Sequence, residues 1–188
     1  MRPPLTLASS SPRRCELLAR LGLAFDVASP QVDETPRLGE GAEALAQRLA
    51  AAKAVAVGAR SGVCVLGADT VVALDENIFG KPADAREARM MLARLSGTAH
   101  RVITAVAFVQ EGAITVATVL TRVWFHPLDA EVCRRYAGSG EARDAAGAYA
   151  VQGGAAAFVA RIVGSYTNVV GLPLAETVKL LRRAGILA

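Results

Sequence analysis

Cysteine, histidine and lysine are scarce in this chain of 188 residues, and each shortage closes off a class of chemistry. The three cysteines, Cys15, Cys64 and Cys133, are odd in number and widely spaced. They form neither a disulfide framework nor a C-x-x-C metal site, and each reads as a small buried hydrophobe. His100 and His126 are the only histidines. With no H-E-x-x-H and no partner pattern for a Ser-His-Asp triad, both read as structural. No apolar run reaches the ~18–20 residues that cross a bilayer. The start of the chain lacks the long apolar region and cleavage site of a signal peptide. Together these absences point to a cytoplasmic protein that makes no use of a membrane. No long charge run occurs and 53% of residues are hydrophobic, which excludes disorder. The length suits one sizeable core, so residues 1–188 are expected to form a single domain, with room for two lobes.

The lysine shortage is also informative. Of 21 basic residues only Lys53, Lys81 and Lys179 are lysine, so a compact ammonium is a candidate requirement wherever one remains. The net charge of +4 is modest, and aromatics make up 5% of the chain. No basic stripe with interleaved aromatics is present, which argues against nucleic acid, and a small phosphorylated ligand fits the same charge equally well.

Periodicity predicts a strand over 3–8, a helix from Pro12 with Ser11 as its N-cap and Gly22 as its stop, and a strand over 24–28. A loop over 29–41 precedes a helix over 42–58 with Leu45, Leu49, Ala52 and Ala56 on one face. A nearly continuous apolar strand covers 62–74, and a turn with a short extended piece covers 75–82. Asp84 and Glu87 resemble a capping box for a helix to Leu95. Strands over 102–109 and 114–125 form a hairpin around Glu111-Gly112, and Asp129 caps a helix to Tyr136. Short strands are expected over 148–152 and 156–163, then a last helix to Arg183. Irregular alternation with a central hairpin points to a mixed α/β sheet flanked by helices.

Six places carry candidate chemistry. In LASSSPRRCELLARLG, residues 7–22, Arg13 and Arg14 occupy the first helical turn, where the helix dipole is positive. That placement costs about 0.3–1 kcal/mol per cation. A phosphate bound by free N–H groups, serine hydroxyls and guanidiniums removes the conflict; projection of both side chains into solvent also accommodates it. Asp69 interrupts an apolar strand, so it needs a cation, a metal or hydrogen-bond donors. It is either a site residue, with Gly67 and Ala68 leaving room for a ligand, or a cap on a polar strand end. Asp33 and Glu34 lie in the proline-bounded loop, solvated unless the loop folds near Asp69, in which case they suit Mg²⁺. Lys81 in Gly80-Lys81-Pro82 is too short a motif for a P-loop. Gln152 beside Gly153-Gly154 suits either a base edge or a hairpin turn. Lys53, four residues beyond Leu49, borders an apolar helix face.

Taken together, LASSSPRRCELL, VDET, AAAKA, LGADTVV, GKP, LSGTAHRVITAV, DAAGAYAVQG and GSYTNVVGLPL resemble the Maf family of nucleoside triphosphate pyrophosphatases. The motifs occur in family order and run from residue 7 to residue 174. The resemblance implies a mixed twisted sheet flanked by helices, Maf/ITPase-like, in two lobes with a central cleft. It implies a cytoplasmic, often homodimeric enzyme that uses a divalent metal, Mg²⁺ or Mn²⁺. The reaction is cleavage of a nucleoside triphosphate at the α–β bond to a monophosphate and pyrophosphate.

Position by position, the resemblance makes Asp69 the catalytic carboxylate and general base. Ser9, Arg14, Lys53 and Lys81 fall at phosphate-side positions, and Arg13, Thr70 and Gln152 at positions linked to base preference. Glu34 falls at the acidic metal-side position, sharing a cation with Asp69. Thr70 after the aspartate looks like the branch acting on dTTP and UTP, a nucleotide-pool house-cleaning role that extends to modified pyrimidine triphosphates. Ala145 stands where the family often has lysine, and Ala155 where glycine is common. The competing reading is a non-enzymatic regulator of septum formation acting through protein partners; a buried Asp69 among cations favours the enzyme.

Overall fold

A computed structural model describes residues 4–58 and 63–187. The elements are, in order, β1 (Leu5–Ala8), α1 (Pro12–Ala19), β2 (Asp26–Ala28), α2 (Ala42–Ala56), β3 (Cys64–Leu74), β4 (Asn77–Phe79) and α3 (Ala85–Leu95). They continue with β5 (Ala99–Gln110), β6 (Ala113–Phe125), α4 (Ala130–Gly138), β7 (Val159–Val163), α5 (Tyr166–Val170) and α6 (Leu174–Arg183). The strands form one seven-stranded sheet in the order β2-β1-β3-β5-β6-β7, with β4 paired to β3. The sheet is mixed: β1 runs parallel to β2 and β3, whereas β4 is antiparallel to β3 and β7 to β6. This is the α/β class expected from the irregular alternation. Among the described residues no helix is long and apolar enough to cross a membrane. Residue 3 of the first expected strand and residue 62 of the long one lie outside the described residues.

Chain contacts fall into two compact units. The first comprises Met1–Asp69, Thr104–Val119 and Gly171–Ala188; the second comprises Thr70–Ile103 and Leu120–Val170. Strands β3, β5 and β6 each contribute residues to both.

In the first unit, Leu17 and Leu18 are the buried face of α1, and Gly22, at φ +68, follows its last turn as the sequence predicts. Ser11 occupies the N-cap position, but its side chain makes no capping bond; its own N–H donates to Ser9 Oγ instead. Helix α2 buries Leu45, Ala46, Leu49, Ala50, Lys53 and Ala54. Ala56, expected on that face, is exposed, because the buried stripe follows Lys53 and Ala54 around the helix.

The second unit has its own core, built on Val72, Phe79, Leu92, Leu95, Val123 and Phe125. Asp84 accepts from the Glu87 N–H at 2.7 Å and Glu87 accepts from the Ala83 N–H at 2.7 Å, so both side chains fasten the start of α3. Asp129 accepts from Val132 in the same way at the start of α4. His100 is a neutral core residue: burial pushes its pKa down to about 4, and Nε2 lies 2.8 Å from the Tyr149 hydroxyl. Cys64 and Cys133 are buried as expected, but Cys15 is only half-buried.

The expected strands over 148–152 and 156–163 are not formed as such. The stretch folds instead as 3-10 turns at Ala146–Ala148 and Gly154–Phe158, and only Val159–Val163 pairs as a strand. The cause is local. Gly147 and Ala148 both have positive φ, 69° and 60°, and their backbone groups close turns: Ala148 N–H donates to Ala145, and Gly153 N–H to Ala150. Ala145 and Ala155, the two departures from the family pattern, are both buried here.

Candidate active site

Asp69 sits in β3 among residues that are buried on both sides, with only 6% of its own surface exposed. A carboxylate so placed pays desolvation, and its pKa is raised above 3.8 chiefly by that burial; Lys53 and then Arg14 oppose the rise. Its direct partner is Lys53, whose Nζ donates to Asp69 Oδ1 at 2.6 Å. Lys53 comes from the buried face of α2 rather than from its border, and is 7% exposed.

Gly67 makes this approach possible. A Cβ there would lie 2.5 Å from the Ala50 carbonyl oxygen and 2.8 Å from the Ala54 nitrogen. The space beside Gly67, read from the sequence as room for a ligand, is therefore filled by the backbone of α2. The glycine brings helix and strand together so that the ammonium reaches the carboxylate.

The same ammonium meets a second acid. Glu34, from the loop after β2, places Oε1 2.7 Å from Lys53 Nζ, with its side chain still more than half exposed. Arg14, in the first turn of α1, donates from Nε to the Gly171 carbonyl at 2.8 Å and from Nη1 to Ser9 Oγ at 3.4 Å. Burial lowers the Arg14 pKa; Asp69 offsets that effect, Arg13 reinforces it and Glu34 offsets it more weakly. The positive helix end thus carries two arginines, and the acids Asp69 and Glu34 supply part of the compensating charge within the protein.

The structure brings Ser9, Arg14, Glu34, Lys53 and Asp69 into one network of the first unit, with Arg13 adjacent on α1. Thr70, Lys81 and Gln152 belong to the second unit. Thr70 follows Asp69 on β3 and is half-buried. Lys81 is exposed, and its loop is tied down by the Gly80 carbonyl, which accepts from the Gly147 N–H at 3.0 Å. Gln152 is exposed in the turn between the two 3-10 segments.

One arrangement near the network had no sequence signal. Arg48 grips Glu40 with two bonds, at 2.6 and 2.8 Å, and also donates to the Thr35 carbonyl at 3.0 Å. Glu40 further accepts from the Arg37 N–H at 2.9 Å, and the Arg48 guanidinium leads in holding its pKa down at about 2. This clasp fastens the loop that carries Glu34 to α2. The two residues are eight apart across a loop–helix junction, a separation that no periodic pattern marks.

The donor chemistry suits a hard divalent cation. Asp69 and Glu34 converge on one positive charge, and Mg²⁺ commonly takes one or two carboxylates, with water and substrate phosphate completing its shell. Among the described residues no group of three or more His, Cys, Asp or Glu side chains could hold a metal without such help.

Comparison with known proteins gives a consistent result. A family model described as Maf-like protein matches residues 4–184. The chain is 49% identical to the dTTP/UTP pyrophosphatase of Hahella chejuensis, across 98% of this chain and 94% of the relative. It is 53% identical to that of Myxococcus xanthus, across 97% and 93%. Identity to that of Geobacter metallireducens is 50%, across 97% of each chain.

Proposed function

The chain belongs to the Maf family, and from that premise we propose that it is a nucleoside triphosphate pyrophosphatase acting on dTTP and UTP. It cleaves the α–β phosphoanhydride bond to give the monophosphate and pyrophosphate, and residues 1–188 act as one catalytic domain. The observation that carries this reading is the buried Asp69 held by Lys53, beside Arg14 and Ser9. A non-enzymatic regulator of septum formation has no need of a desolvated carboxylate balanced against two cations.

Phosphoryl transfer needs positioning and charge neutralisation more than covalent help. Asp69 takes the proton of the attacking water at a carboxylate oxygen, and its raised pKa makes it a better base than an ordinary aspartate. Arg14, Lys53 and Lys81 bind the phosphates, and the Ser9 hydroxyl adds a donor to them. Arg13, the Thr70 hydroxyl and the Gln152 amide discriminate the pyrimidine edge. Glu34 and Asp69 hold a divalent cation, Mg²⁺ or Mn²⁺, which when bound neutralises phosphate charge and acidifies water. We assign the enzyme to the cytoplasm as a homodimer with no nucleic-acid partner.

The test is a panel of dTTP, UTP, CTP and GTP with Mg²⁺ or Mn²⁺, scoring pyrophosphate against orthophosphate. Pyrophosphate from dTTP and UTP is expected, with turnover abolished in folded Asp69→Asn. Orthophosphate as the product overturns the assignment, and near-normal turnover in that variant removes Asp69 from the base role.

A further inference from the structure

The turn that carries Gln152 is held by side chains from outside it. The Ala150 N–H donates to the Tyr136 hydroxyl at 3.0 Å. The Gly154 N–H donates to Glu141 Oε2 at 2.9 Å. The Tyr136 hydroxyl in turn donates to that same Glu141 oxygen at 3.3 Å. Two linked side chains thus pin the backbone two residues before Gln152 and two residues after it. Inside the span, the Gly153 N–H to Ala150 bond closes the turn. The exposed amide of Gln152 projects from a short arch with both feet fixed.

Two further features fit a clamp of this kind. A Cβ at Gly153 would lie 2.3 Å from Glu141 Oε2, so the absence of a side chain at 153 lets the carboxylate reach its N–H partner. The Tyr136 ring packs edge-on against Phe158, with centroids 5.0 Å apart, which fixes the hydroxyl from the far end of the second 3-10 turn. Tyr136 is a core residue at the end of α4, whereas Glu141 is exposed. A surface carboxylate aimed at a backbone N–H contributes little to the core and much to the shape of one turn.

We infer that Tyr136 and Glu141 are positioning residues for Gln152, setting where its amide stands and so the discrimination between pyrimidine bases. The inference rests on the proposed reading of Gln152 as a base-contacting residue. Its signature is a change in substrate binding and preference, with the chemical step largely preserved.

The experiment compares dTTP and UTP kinetics of the wild type with Glu141→Ala, Glu141→Gln, Tyr136→Phe, Gln152→Ala and the double variant Glu141→Ala/Gln152→Ala. Loss of one such hydrogen bond predicts a rise in KM for dTTP of about 5–10-fold in Glu141→Ala and Tyr136→Phe, with kcat changed less than about 3-fold. Glu141→Gln keeps a carbonyl acceptor for the Gly154 N–H and is expected within about 3-fold of wild type. The double variant should match Gln152→Ala alone, because a clamp on an absent amide has nothing to position. Additive losses in the double variant, or an unchanged KM and dTTP-to-UTP ratio in both single variants, overturn the inference while leaving the enzyme assignment intact. A wild type that releases no pyrophosphate overturns the assignment of function, and this inference falls with it.

Discussion

A single ammonium serves two carboxylates: Lys53 Nζ lies 2.6 Å from Asp69 and 2.7 Å from Glu34. The two contacts differ in value. The Asp69 contact is buried at both ends, whereas Glu34 remains largely exposed, so solvent screens its half of the interaction. Removal of the lysine should therefore be felt mainly through Asp69. Lys53→Met leaves a buried carboxylate without its nearest cation and is expected to lower stability by about 3 kcal/mol. Asp69→Asn should cost less, because the amide oxygen still accepts from Lys53 and the ammonium keeps Glu34. Urea denaturation of both variants at neutral pH checks the order; equal costs would contradict it.

The balance around Asp69 also fixes a pH dependence. Its folded pKa lies above the ordinary 3.8, with burial as the leading cause. Between the two values the native protein holds a proton that the unfolded chain has lost, so Asp69's contribution to stability declines as pH rises through that window. Catalysis needs the ionised form, so the acid limb of kcat/KM should lie on the high side of the ordinary 3.8. Lys53 and Arg14, in that order, are the charges holding the value down. Arg14→Gln should move the limb to higher pH, and a pH–rate profile reads the shift directly. An unmoved limb would mean that another group titrates there.

Glu40 behaves in the opposite sense. Its bonds to Arg48 and to the Arg37 N–H hold its pKa at about 2, below the ordinary 4.5. Its contribution is present above pH 4.5 and disappears as pH falls towards 2. Denaturation of wild type and Glu40→Gln across that range should show their stability difference closing with acidification. Because Glu40 closes the loop bearing Glu34, the variant should also raise the Mg²⁺ concentration needed for half-maximal turnover.

Much of this was legible where the determinants are local. The Asp84–Glu87 cap, the Asp129 cap and the Glu111-Gly112 turn, with φ of 51° and 82°, are written in a few adjacent residues. Asp69 was legible because an acid inside an apolar strand is costly without a partner. Its partner was only hinted at, by the rarity of lysine and the position of Lys53 four residues after Leu49. The depth of Lys53 depends on how closely α2 approaches β3, which Gly67 decides from another element. Of the expected strands at 148–152 and 156–163, the first is absent and the second forms only from Val159, in part for a related reason. Their composition suits extended chain, but left-handed backbone at Gly147 and Ala148, and bonds to distant Tyr136 and Glu141, turn the segment into an arch.

Gly67→Ala puts the helix–strand approach itself to the test. The added methyl would meet the Ala50 carbonyl, the Ala54 nitrogen and the Ala54 Cβ, all within 2.9 Å. These are mostly backbone atoms, which cannot rotate aside, so α2 must move outward or β3 must bend. The strain should cost about 1–3 kcal/mol by the usual measure of overpacking. The sharper consequence is chemical. Any outward shift of α2 stretches the 2.6 Å bond between Lys53 and Asp69, leaving the carboxylate desolvated with a more distant counter-charge. Turnover should fall further than the stability loss alone explains, and the acid limb of kcat/KM should rise as it does in Arg14→Gln. Thermal denaturation and pH–rate profiles on the same preparation separate the two effects. A destabilised variant with an unchanged limb would show that Asp69 keeps its lysine when the helix is displaced.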